Sequence, residues 1–357
     1  KRQDIIKHKK NGDRIQQKEV ILVTGSSGLI GFSLIQKLAK NYRIVGLDRV
    51  GPPYPPLEAE CVNFDITNEE SIAMAMERIR YGYGNKIAAV IHLAAFYSFK
   101  TKENDLYNEI NIEGTHKFLS QLRDFDVKQF IFSSTDLLYK PINRGQKIDE
   151  NSPINASWGY PRSKILTEDV IKQYNQYFKT VILRVAGVYN EYGHSIPISN
   201  QIKRIYEKEP TSHFYSGNLN HGDAYVHLED LLSAIIKTIE KQNELKDHII
   251  INIGEPYSPS YKELQTKIGK LIYGKQWKTY KIPKWIAIIG AWGMNITGDS
   301  FIKPWMINRA GENYELDINR AKELLDWEPK NSLLETMPFI IKNLRANPAK
   351  WYTKNKL

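Results

Sequence analysis

Cysteine is almost missing from this sequence, since Cys61 is the single one in 357 residues. An intrachain disulfide and a cysteine-based zinc site are therefore excluded, and no other metal site is predicted. No apolar run is long enough to span a bilayer, and the N-terminus is polar and basic, without the apolar stretch of a secretory signal. From these absences we expect a cytoplasmic protein.

Signatures of nucleic-acid binding are also missing. The net charge of +10 would suit a polyanionic partner. However, the sequence contains neither an arginine-rich stripe nor a nucleic-acid-binding motif. We assign the charge to a solvated surface with a basic N-terminal segment, and we expect no nucleic-acid partner.

Apolar runs alternate with helical patterns through the first half of the chain. Strands are predicted at residues 19–25, 42–48, 61–67, 86–95, 127–135 and 179–189. Helices are predicted between them at residues 29–40, 69–80 and 104–125, and from about Tyr160. Wholly apolar strands that alternate with helices are typical of a parallel sheet covered on both faces. We therefore predict an α/β fold, a Rossmann-type doubly wound parallel sheet with a smaller C-terminal substrate lobe.

The segment TGSSGLIG, Thr24–Gly31, joins the first strand to the first helix. Gly25 permits the turn, Gly28 permits close approach of a phosphate, and Gly31 lets the helix pack against the strand. The pyrophosphate of a dinucleotide would rest on the helix N-terminus, where free N–H groups and the helix dipole favour negative charge. The second strand ends at Asp48, where a carboxylate would bind adenosine ribose hydroxyls and repel a 2′-phosphate. NAD is therefore predicted, and NADP stays an alternative because Arg49 follows directly.

Later motifs point to one family. In YPRSK, Tyr160 and Lys164 lie one helical turn apart on the same face, and SST ends upstream at Thr135. With HLAA, NIEGT, LRVAGVY and AYVHLEDL, these motifs resemble those of extended short-chain dehydrogenases/reductases of the NAD-dependent epimerase/dehydratase family. The resemblance covers about Val20 to Met337.

The chemistry of a secondary alcohol explains these residue types. A free tyrosine has a pKa of about 10, so it is a poor base at neutral pH. The ammonium of Lys164 and the nicotinamide cation would favour the phenolate, and Tyr160 would exchange a proton with a substrate hydroxyl during hydride transfer. The resemblance implies that Thr135 hydrogen-bonds the reacting oxygen and that Lys164 also holds the nicotinamide ribose.

The resemblance also implies cofactor contacts along the chain. These are Gly28, Leu29 and Ile30 at the pyrophosphate, Asp65 and Ile66 at the adenine, Leu93, Ala94 and Ala95 at a strand end, Asn111 as a prop for the active-site helix, and Ser133 beside the nicotinamide. The alanines also fit simple strand packing. His92 and His227 lie in apolar strand patterns and are predicted to be core histidines rather than ligands.

Three departures from the family bear on the substrate. The stretch TDLLY keeps Asp136, which matches the acid of sugar-nucleotide dehydratases, but Leu137 stands where these have a glutamate base. We therefore do not expect 4,6-dehydration. Gly187 replaces an asparagine that reaches the substrate, and Asp223 replaces an arginine that clamps the diphosphate. An anion there removes a charge-assisted bond and adds repulsion.

The predicted substrate contacts are Asp136, His194, Ser195, Gln201 and His221. Plain loop and helix-cap polarity is the slightly favoured alternative for the loop residues, and His221 or Arg204 could compensate for the missing clamp. The apolar segment Trp285–Ile296 is too short to cross a bilayer. It is predicted to line the lobe or a subunit contact, and contact with a membrane surface is the less favoured alternative.

The chain divides into parts that differ in pattern. These are a basic N-terminal segment at 1–18, an NAD-binding Rossmann domain at 19–187 to which 224–255 return, a substrate-binding lobe at 188–223 and 256–345, and a C-terminal tail at 346–357. The resemblance implies a homodimer through the helix from about Asn104 and the helix that carries Tyr160.

Three functions stay open. The motif set favours a sugar-nucleotide epimerase or oxidoreductase, whereas the lost asparagine and arginine favour a hydroxysteroid- or dihydroflavonol-type reductase with an apolar substrate. A non-catalytic NAD-binding scaffold or redox sensor is the third function. The presence of Thr135, Tyr160 and Lys164 favours an enzyme acting on a small-molecule substrate.

Overall fold

A parallel sheet organises the structure, a computed structural model that describes residues 18–49, 51, 53–99, 102–297 and 302–357, with the side chains of residues 295–297 not described. The predicted basic N-terminal segment lies outside the described residues except for Lys18. The strands are β1 Val20–Thr24, β2 Arg43–Asp48, β3 Glu60–Asn63, β4 Lys86–Ile87, β5 Ala89–His92, β6 Asp126–Val127, β7 Gln129–Thr135, β8 Lys179–Val185, β9 Gly187–Tyr189, β10 Phe214–Tyr215, β11 Tyr225–His227, β12 His248–Ile253 and β13 Tyr280–Lys281.

Within the described residues, seven of these strands form the main sheet in the order β12-β8-β7-β5-β1-β2-β3, and all its neighbouring pairs are parallel. The order reverses direction at β1, as in a doubly wound sheet, and this confirms the predicted fold class. The pairs β9–β11, β10–β13 and β4–β6 form separate two-stranded ladders.

The helices cover both faces of the sheet and build the lobe. They are α1 Leu29–Leu38, α2 Glu69–Tyr83, α3 Thr115–Leu122, α4 Gly159–Lys172, α5 Ile196–Tyr206, α6 Leu228–Glu240, α7 Tyr261–Tyr273, α8 Lys284–Thr297, α9 Pro304–Arg309, α10 Asn319–Leu325, α11 Leu333–Ala346 and α12 Pro348–Asn355. Local sequence explains several ends. Ser260 and Glu263 form a capping box at the start of α7, and Gly274 ends it in the left-handed conformation at φ 70°.

Apolar side chains form a core on each face of the sheet and a third core in the lobe. One sheet core contains Leu34 of α1 and Ile235 of α6, and the other contains Ile72 of α2 and Phe118 of α3. The lobe core joins α5, α7, α11 and α12. The fully apolar strands predicted this arrangement, because both faces of a parallel sheet are buried.

Three predicted strands are interrupted in the structure. The predicted strands 86–95, 127–135 and 179–189 divide into β4 and β5, β6 and β7, and β8 and β9. The predicted helix 104–125 is also not uniform, since a π-helical segment, Tyr107–Gly114, precedes α3. Here the carbonyl oxygen of Asn111 accepts hydroxyl hydrogen bonds from Thr115 and Thr167, which compete with the regular helical ladder.

Two segments pack differently from their predicted assignment. Tyr314, Leu316 and Trp327, in a stretch assigned to the lobe, join the sheet core with α6. The predicted C-terminal tail forms α12, with Asn347 as its N-cap and Trp351 fully buried in the lobe core. A large apolar side chain explains this packing, because leaving it in water forgoes a substantial hydrophobic contribution.

A buried ion pair fixes α4 against the sheet. Arg184 of β8 donates two hydrogen bonds to Glu168 of α4, at 3.1 and 2.7 Å, and both side chains are at most 9% exposed. Arg184 also donates to the hydroxyl of Tyr139, which donates in turn to Asn252 of β12 at 2.7 Å. The Ser134 hydroxyl of β7 donates to Glu168. The network therefore joins α4 to three strands.

Replacing Arg184 with Met should leave the Glu168 carboxylate buried without its cation. We expect a loss of about 3–5 kcal/mol in the free energy of unfolding, measured by urea denaturation. The control is Arg162→Met, which breaks an exposed pair between Arg162 and Glu103 and should cost at most about 1 kcal/mol. Equal losses in the two variants would contradict this account of α4.

Candidate active site

A cavity of about 1120 Å³ lies at the carboxyl ends of the strands, between the sheet and the lobe. Most of the predicted site residues line it. They are Gly25, Gly28, Leu29, Ile30, Gly31, Leu93, Ala95, Ser133, Thr135, Asp136, Tyr160, Lys164, His194, Ser195, Gln201 and His221. The structure therefore brings together residues that are up to about two hundred positions apart in the sequence.

The segment Thr24–Gly31, which we call the glycine loop, is as tight as the sequence predicts. Gly25 has φ +68°, and a Cβ atom there would lie 2.9 Å from the nitrogen of Ala94. A Cβ atom on Gly31 would lie 2.3 Å from the oxygen of Gly25. Both distances are shorter than a real contact, so neither position accepts a side chain without moving the backbone.

The acid at the end of β2 supports the same loop. Asp48 accepts hydrogen bonds from the backbone nitrogens of Ser27 and Arg49, each at 2.9 Å. A carboxylate has about four acceptor sites, so it retains capacity for ribose hydroxyls. The buried hydroxyl of Ser27 has no hydrogen-bond partner among the described residues and lies on the cavity wall. Together with the free N–H groups of the first turn of α1, these groups fit a dinucleotide pyrophosphate and ribose.

Some predicted cofactor residues are not among those that line the cavity. Asp65 accepts two hydrogen bonds from Thr67, which lower the pKa of its carboxyl. Ile66 is buried in a sheet core, and the nitrogen of Ala94 donates to the Thr24 hydroxyl at 3.1 Å. The roles predicted for these residues stay predictions.

Asn111 links the strand end to α4. Its side-chain oxygen accepts from the nitrogen of Phe96 at 2.7 Å, and its amide nitrogen donates to the oxygen of Phe96 and the hydroxyl of Ser163. Ser163 lies on α4 between Tyr160 and Lys164. Asn111 is therefore placed to fix the helix that carries both candidate residues.

His92 connects the glycine loop with the π-helical segment. Its Nδ1 lies 2.7 Å from the hydroxyl of Thr24, and its Nε2 lies 2.9 Å from the hydroxyl of Thr115. Thr115 donates to the oxygen of Asn111, so Nε2 carries the proton and Nδ1 accepts from Thr24. Burial, reinforced by the charge of Lys164, lowers the pKa of His92 to about 3. This neutral histidine is a core residue, as its apolar strand pattern predicted.

Lys164 and Tyr160 occupy adjacent positions on the cavity wall. The ammonium of Lys164 donates to the backbone oxygen of Ser133 at 2.8 Å and lies 5.7 Å from the ring centroid of Tyr160. The Thr135 hydroxyl, at the end of β7, accepts from the nitrogen of Leu137 at 3.2 Å. The sequence-predicted group of three residues therefore lies on neighbouring elements, β7 and α4.

Burial dominates the protonation of these groups. It lowers the pKa of Lys164 to about 7, against the opposing effect of Glu168. It raises the pKa of Tyr160, and Asp136 and Tyr107 raise it further. The sequence led us to expect a lowered tyrosine pKa, but that expectation included the nicotinamide cation. In the protein alone, burial, Asp136 and Tyr107 raise the tyrosine pKa instead.

Two carboxyl groups face the same space. Burial raises the pKa of Asp136 to about 8, and the charge of Asp223 adds to this shift. Burial also raises the pKa of Asp223 to about 6, while Arg309 opposes the shift. At neutral pH, Asp136 is therefore mainly protonated and Asp223 mainly ionised.

Three of the four predicted substrate residues of the lobe form hydrogen bonds within the protein. The nitrogen of His194 donates to Asn355 at 2.7 Å, and the amide of Gln201 donates to Gln265 at 3.0 Å. The ring of His221 bonds to the oxygen of Gly311 and to Asn218. Ser195 is the N-terminal cap residue of α5, without a side-chain cap bond. The side-chain bonds of Gln201 and His221 fit the alternative of structural polarity, whereas Ser195 does not cap its helix with its side chain.

Arg309 is a cavity residue that sequence reasoning missed. Its guanidinium lies 2.9 Å from Glu312, donates to the Tyr314 hydroxyl and lies 5.9 Å from the ring of Trp158. It is an electrostatic neighbour of Asp223, whereas Arg204 pairs with Glu209. Arg309 lies on a short helix outside any periodic pattern, and the acid at Glu312 was the only local signal.

An aromatic cluster surrounds the part of the cavity that contains Tyr160. The ring of Tyr97 lies 4.5 Å from that of Tyr160, and the ring of Trp158 lies 5.5 Å from Phe99 and 5.2 Å from Trp305. Tyr97 and Phe99 lie within four residues after HLAA, so their position beyond a strand end was a usable signal. Ala287, Gly290 and Met294 of α8 continue this wall, and the predicted Trp285–Ile296 segment thus lines the lobe cavity.

Comparison with known proteins agrees with this geometry. The model of the "NAD dependent epimerase/dehydratase family" matches residues 21–254. A protein of Methanocaldococcus jannaschii with the provisional name UDP-glucose 4-epimerase is 28% identical, over 92% of this chain and 99% of the relative. The UDP-glucuronate 4-epimerase of Thermodesulfobacterium geofontis is 26% identical, over 88% of this chain and 92% of the relative. The UDP-glucose 4-epimerase structure of Thermotoga maritima has a TM-score of 0.69 at 25% identity, covering 92% of this chain and 99% of that one.

Replacing Asp136 with Asn should remove a loss of folding stability that grows as the pH rises. The folded pKa of about 8 exceeds the ordinary value of 3.8, so stability falls as the pH rises from about 4 to 8. At pH 9 the variant should therefore melt about 2 °C or more above the wild type, and the difference should shrink toward pH 5. Thermal unfolding at both pH values measures this.

The matched control is Asp169→Asn, at an exposed position of α4. It makes the same charge change without releasing a buried carboxylate. If both variants shift the melting temperature alike at pH 9, burial of Asp136 is not the cause.

Proposed function

The chain belongs to the NAD-dependent epimerase/dehydratase family and is an NAD-dependent enzyme, and from this premise we propose that it acts at a secondary alcohol carbon of a nucleotide-sugar substrate. The single observation that carries the proposal is the meeting of Thr135, Tyr160 and Lys164 with the glycine loop in one cavity. Epimerisation at the hydroxyl-bearing carbon is the reaction that this site and the names of the relatives favour.

The glycine loop and Asp48 would hold NAD by its pyrophosphate and its adenosine ribose. The chemistry that NAD would supply when bound there is reversible hydride transfer at a substrate carbon. The protein supplies the proton chemistry. Tyr160 exchanges a proton with the substrate hydroxyl, and Thr135 donates a hydrogen bond to the same oxygen.

Lys164 assists Tyr160 by charge and position. Its ammonium is fixed by the oxygen of Ser133 near the tyrosine ring. A cation near the ring favours the phenolate and opposes the desolvation that raises the tyrosine pKa. Because burial brings the pKa of Lys164 itself to about 7, bound anionic groups would also help to keep it charged.

The positive charge of Arg309 favours the binding of an anionic substrate. It is the cation next to Asp223, at the place where the sequence lacks the expected diphosphate clamp. Its bonds to Glu312 and Tyr314 fix the guanidinium on the cavity wall. We propose that Arg309 contacts the diphosphate of the substrate and that Asp223 limits its effect.

A reductase for an apolar substrate is the second candidate function. The aromatic cluster at Tyr97, Phe99 and Trp305 and the apolar face of α8 favour it. Such walls bury apolar area rather than sugar hydroxyls. The homodimer through the segment from Asn104 and α4 stays a prediction in either case.

Tyr160→Phe tests the catalytic proposal. Turnover should fall by about two orders of magnitude or more, because the phenol is the proton-transfer group, while the thermal shift caused by NAD should stay. Tyr177→Phe, at an exposed tyrosine beyond the end of α4, is the control and should keep its activity. Full turnover by the Tyr160 variant would refute the mechanism.

Nucleotide binding tests the substrate class. UDP, added to the NAD complex, should raise the melting temperature more than dTDP or GDP, because the names of the relatives contain UDP-sugars. A ligand stabilises the folded state in proportion to RT ln(1 + [L]/Kd), so the tightest binder gives the largest shift. Arg309→Gln should reduce the UDP shift, and Arg162→Gln, at an exposed arginine outside the cavity, should not.

If NAD stabilises the protein but none of the three nucleotides adds to it, the nucleotide-sugar proposal fails. The apolar-substrate reductase then becomes the better candidate.

A further inference from the structure

Helix α8 has two different apolar faces. Ala287, Gly290 and Met294 line the cavity. On another side of the helix, Trp285, Ile289 and Trp292 are 64%, 63% and 60% exposed. We call these three residues the outer face of α8. Their spacing of four and three residues places them in one stripe along the helix.

Aromatic exposure continues next to the helix. Tyr280 of β13 is 55% exposed and Phe214 of β10 is 47% exposed, with ring centroids 6.3 Å apart. Strand β13 ends at Lys281, and only two residues separate it from the start of α8 at Lys284. Exposed aromatic side chains therefore adjoin α8 along the chain, and clusters of exposed apolar side chains mark interaction sites in soluble proteins.

The charge along this part of the chain is positive. Residues 275–297, which include α8 and the stretch before it, contain four lysines and no acidic residue. Lys281 and Lys284 adjoin the outer face and are exposed. Lysines beside exposed tryptophans are typical of segments that lie on anionic membranes.

We propose that the outer face of α8 docks on an anionic lipid bilayer. The indole rings and Ile289 would enter the headgroup boundary, and the neighbouring lysines would contact lipid phosphates and carboxylates. Helix α8 would lie in the interface plane, because among the described residues no helix has the length and apolarity needed to cross a membrane.

Other partners suit the surface less well. A nucleic acid would use the lysines, but it would leave Ile289 without apolar burial. A second copy of this chain would bring the same lysines toward one another, and like charges at an interface disfavour association. An anionic bilayer satisfies both the charge and the apolar stripe.

The inference goes beyond the proposed function, because it concerns where the enzyme works rather than its reaction. It is also independent of turnover. Since α8 forms part of the cavity wall, docking would bring that wall to the lipid surface.

Flotation of the full chain with lipid vesicles tests the proposal. The wild type should bind vesicles of phosphatidylcholine with about 30% phosphatidylserine, more weakly as salt is raised, and should bind pure phosphatidylcholine less. Trp285→Ser combined with Ile289→Ser and Trp292→Ser should weaken binding about tenfold or more. An unchanged thermal shift with NAD would verify that this variant folds.

The control combines Met74→Ser with Tyr81→Ser, which removes exposed apolar side chains from α2 on another surface. It should bind vesicles like the wild type. The proposal is overturned if the wild type does not bind anionic vesicles, or if the triple variant binds them equally well. It is also overturned if light scattering finds that the triple change turns a dimer into a monomer, because the face is then a subunit contact.

Discussion

The buried pair of Glu168 and Arg184 is the interaction on which the placement of the active site depends. A carboxylate and a guanidinium leave water together only when each satisfies the other and the remaining polar atoms are bonded. Here the hydroxyl groups of Ser134 and Tyr139 and the guanidinium group of Arg184 meet that condition. The pair thereby fixes the angle of α4, which presents Tyr160 and Lys164 to the cavity. A loss of this geometry would be felt at Tyr160 and Lys164, although neither ionised residue lines the cavity.

Much of the fold could be predicted from the sequence because its signals are local and repeated. Wholly apolar strands indicated the parallel sheet, and the spacing of Gly25, Gly28 and Gly31 indicated the loop that the backbone distances require. The family predicted from the motifs and NAD as its cofactor are confirmed. The π-helical segment could not be predicted, because it depends on the hydroxyl group of Thr167, which is distant in the sequence.

The candidate site was only partly predictable for the same reason. The motif residues could be named, since each lies at the end of a strand or at the start of a helix. Arg309 could not, because its importance comes from lying opposite Asp223, far away along the chain. Protonation could not be predicted either. Burial sets the pKa of Lys164 and Asp136, and burial is a property of the completed cavity.

The order of strands in the sheet has a consequence for how the protein acquires its structure in time. Strands β1, β2, β3, β5 and β7 are neighbours and come from residues before position 136, so the half with the glycine loop can pair early during synthesis. The edge strand β12 joins later and brings Asn252 to Tyr139. Contacts between distant positions close slowly. We therefore expect the half with the glycine loop to form before the half that contains β8 and β12.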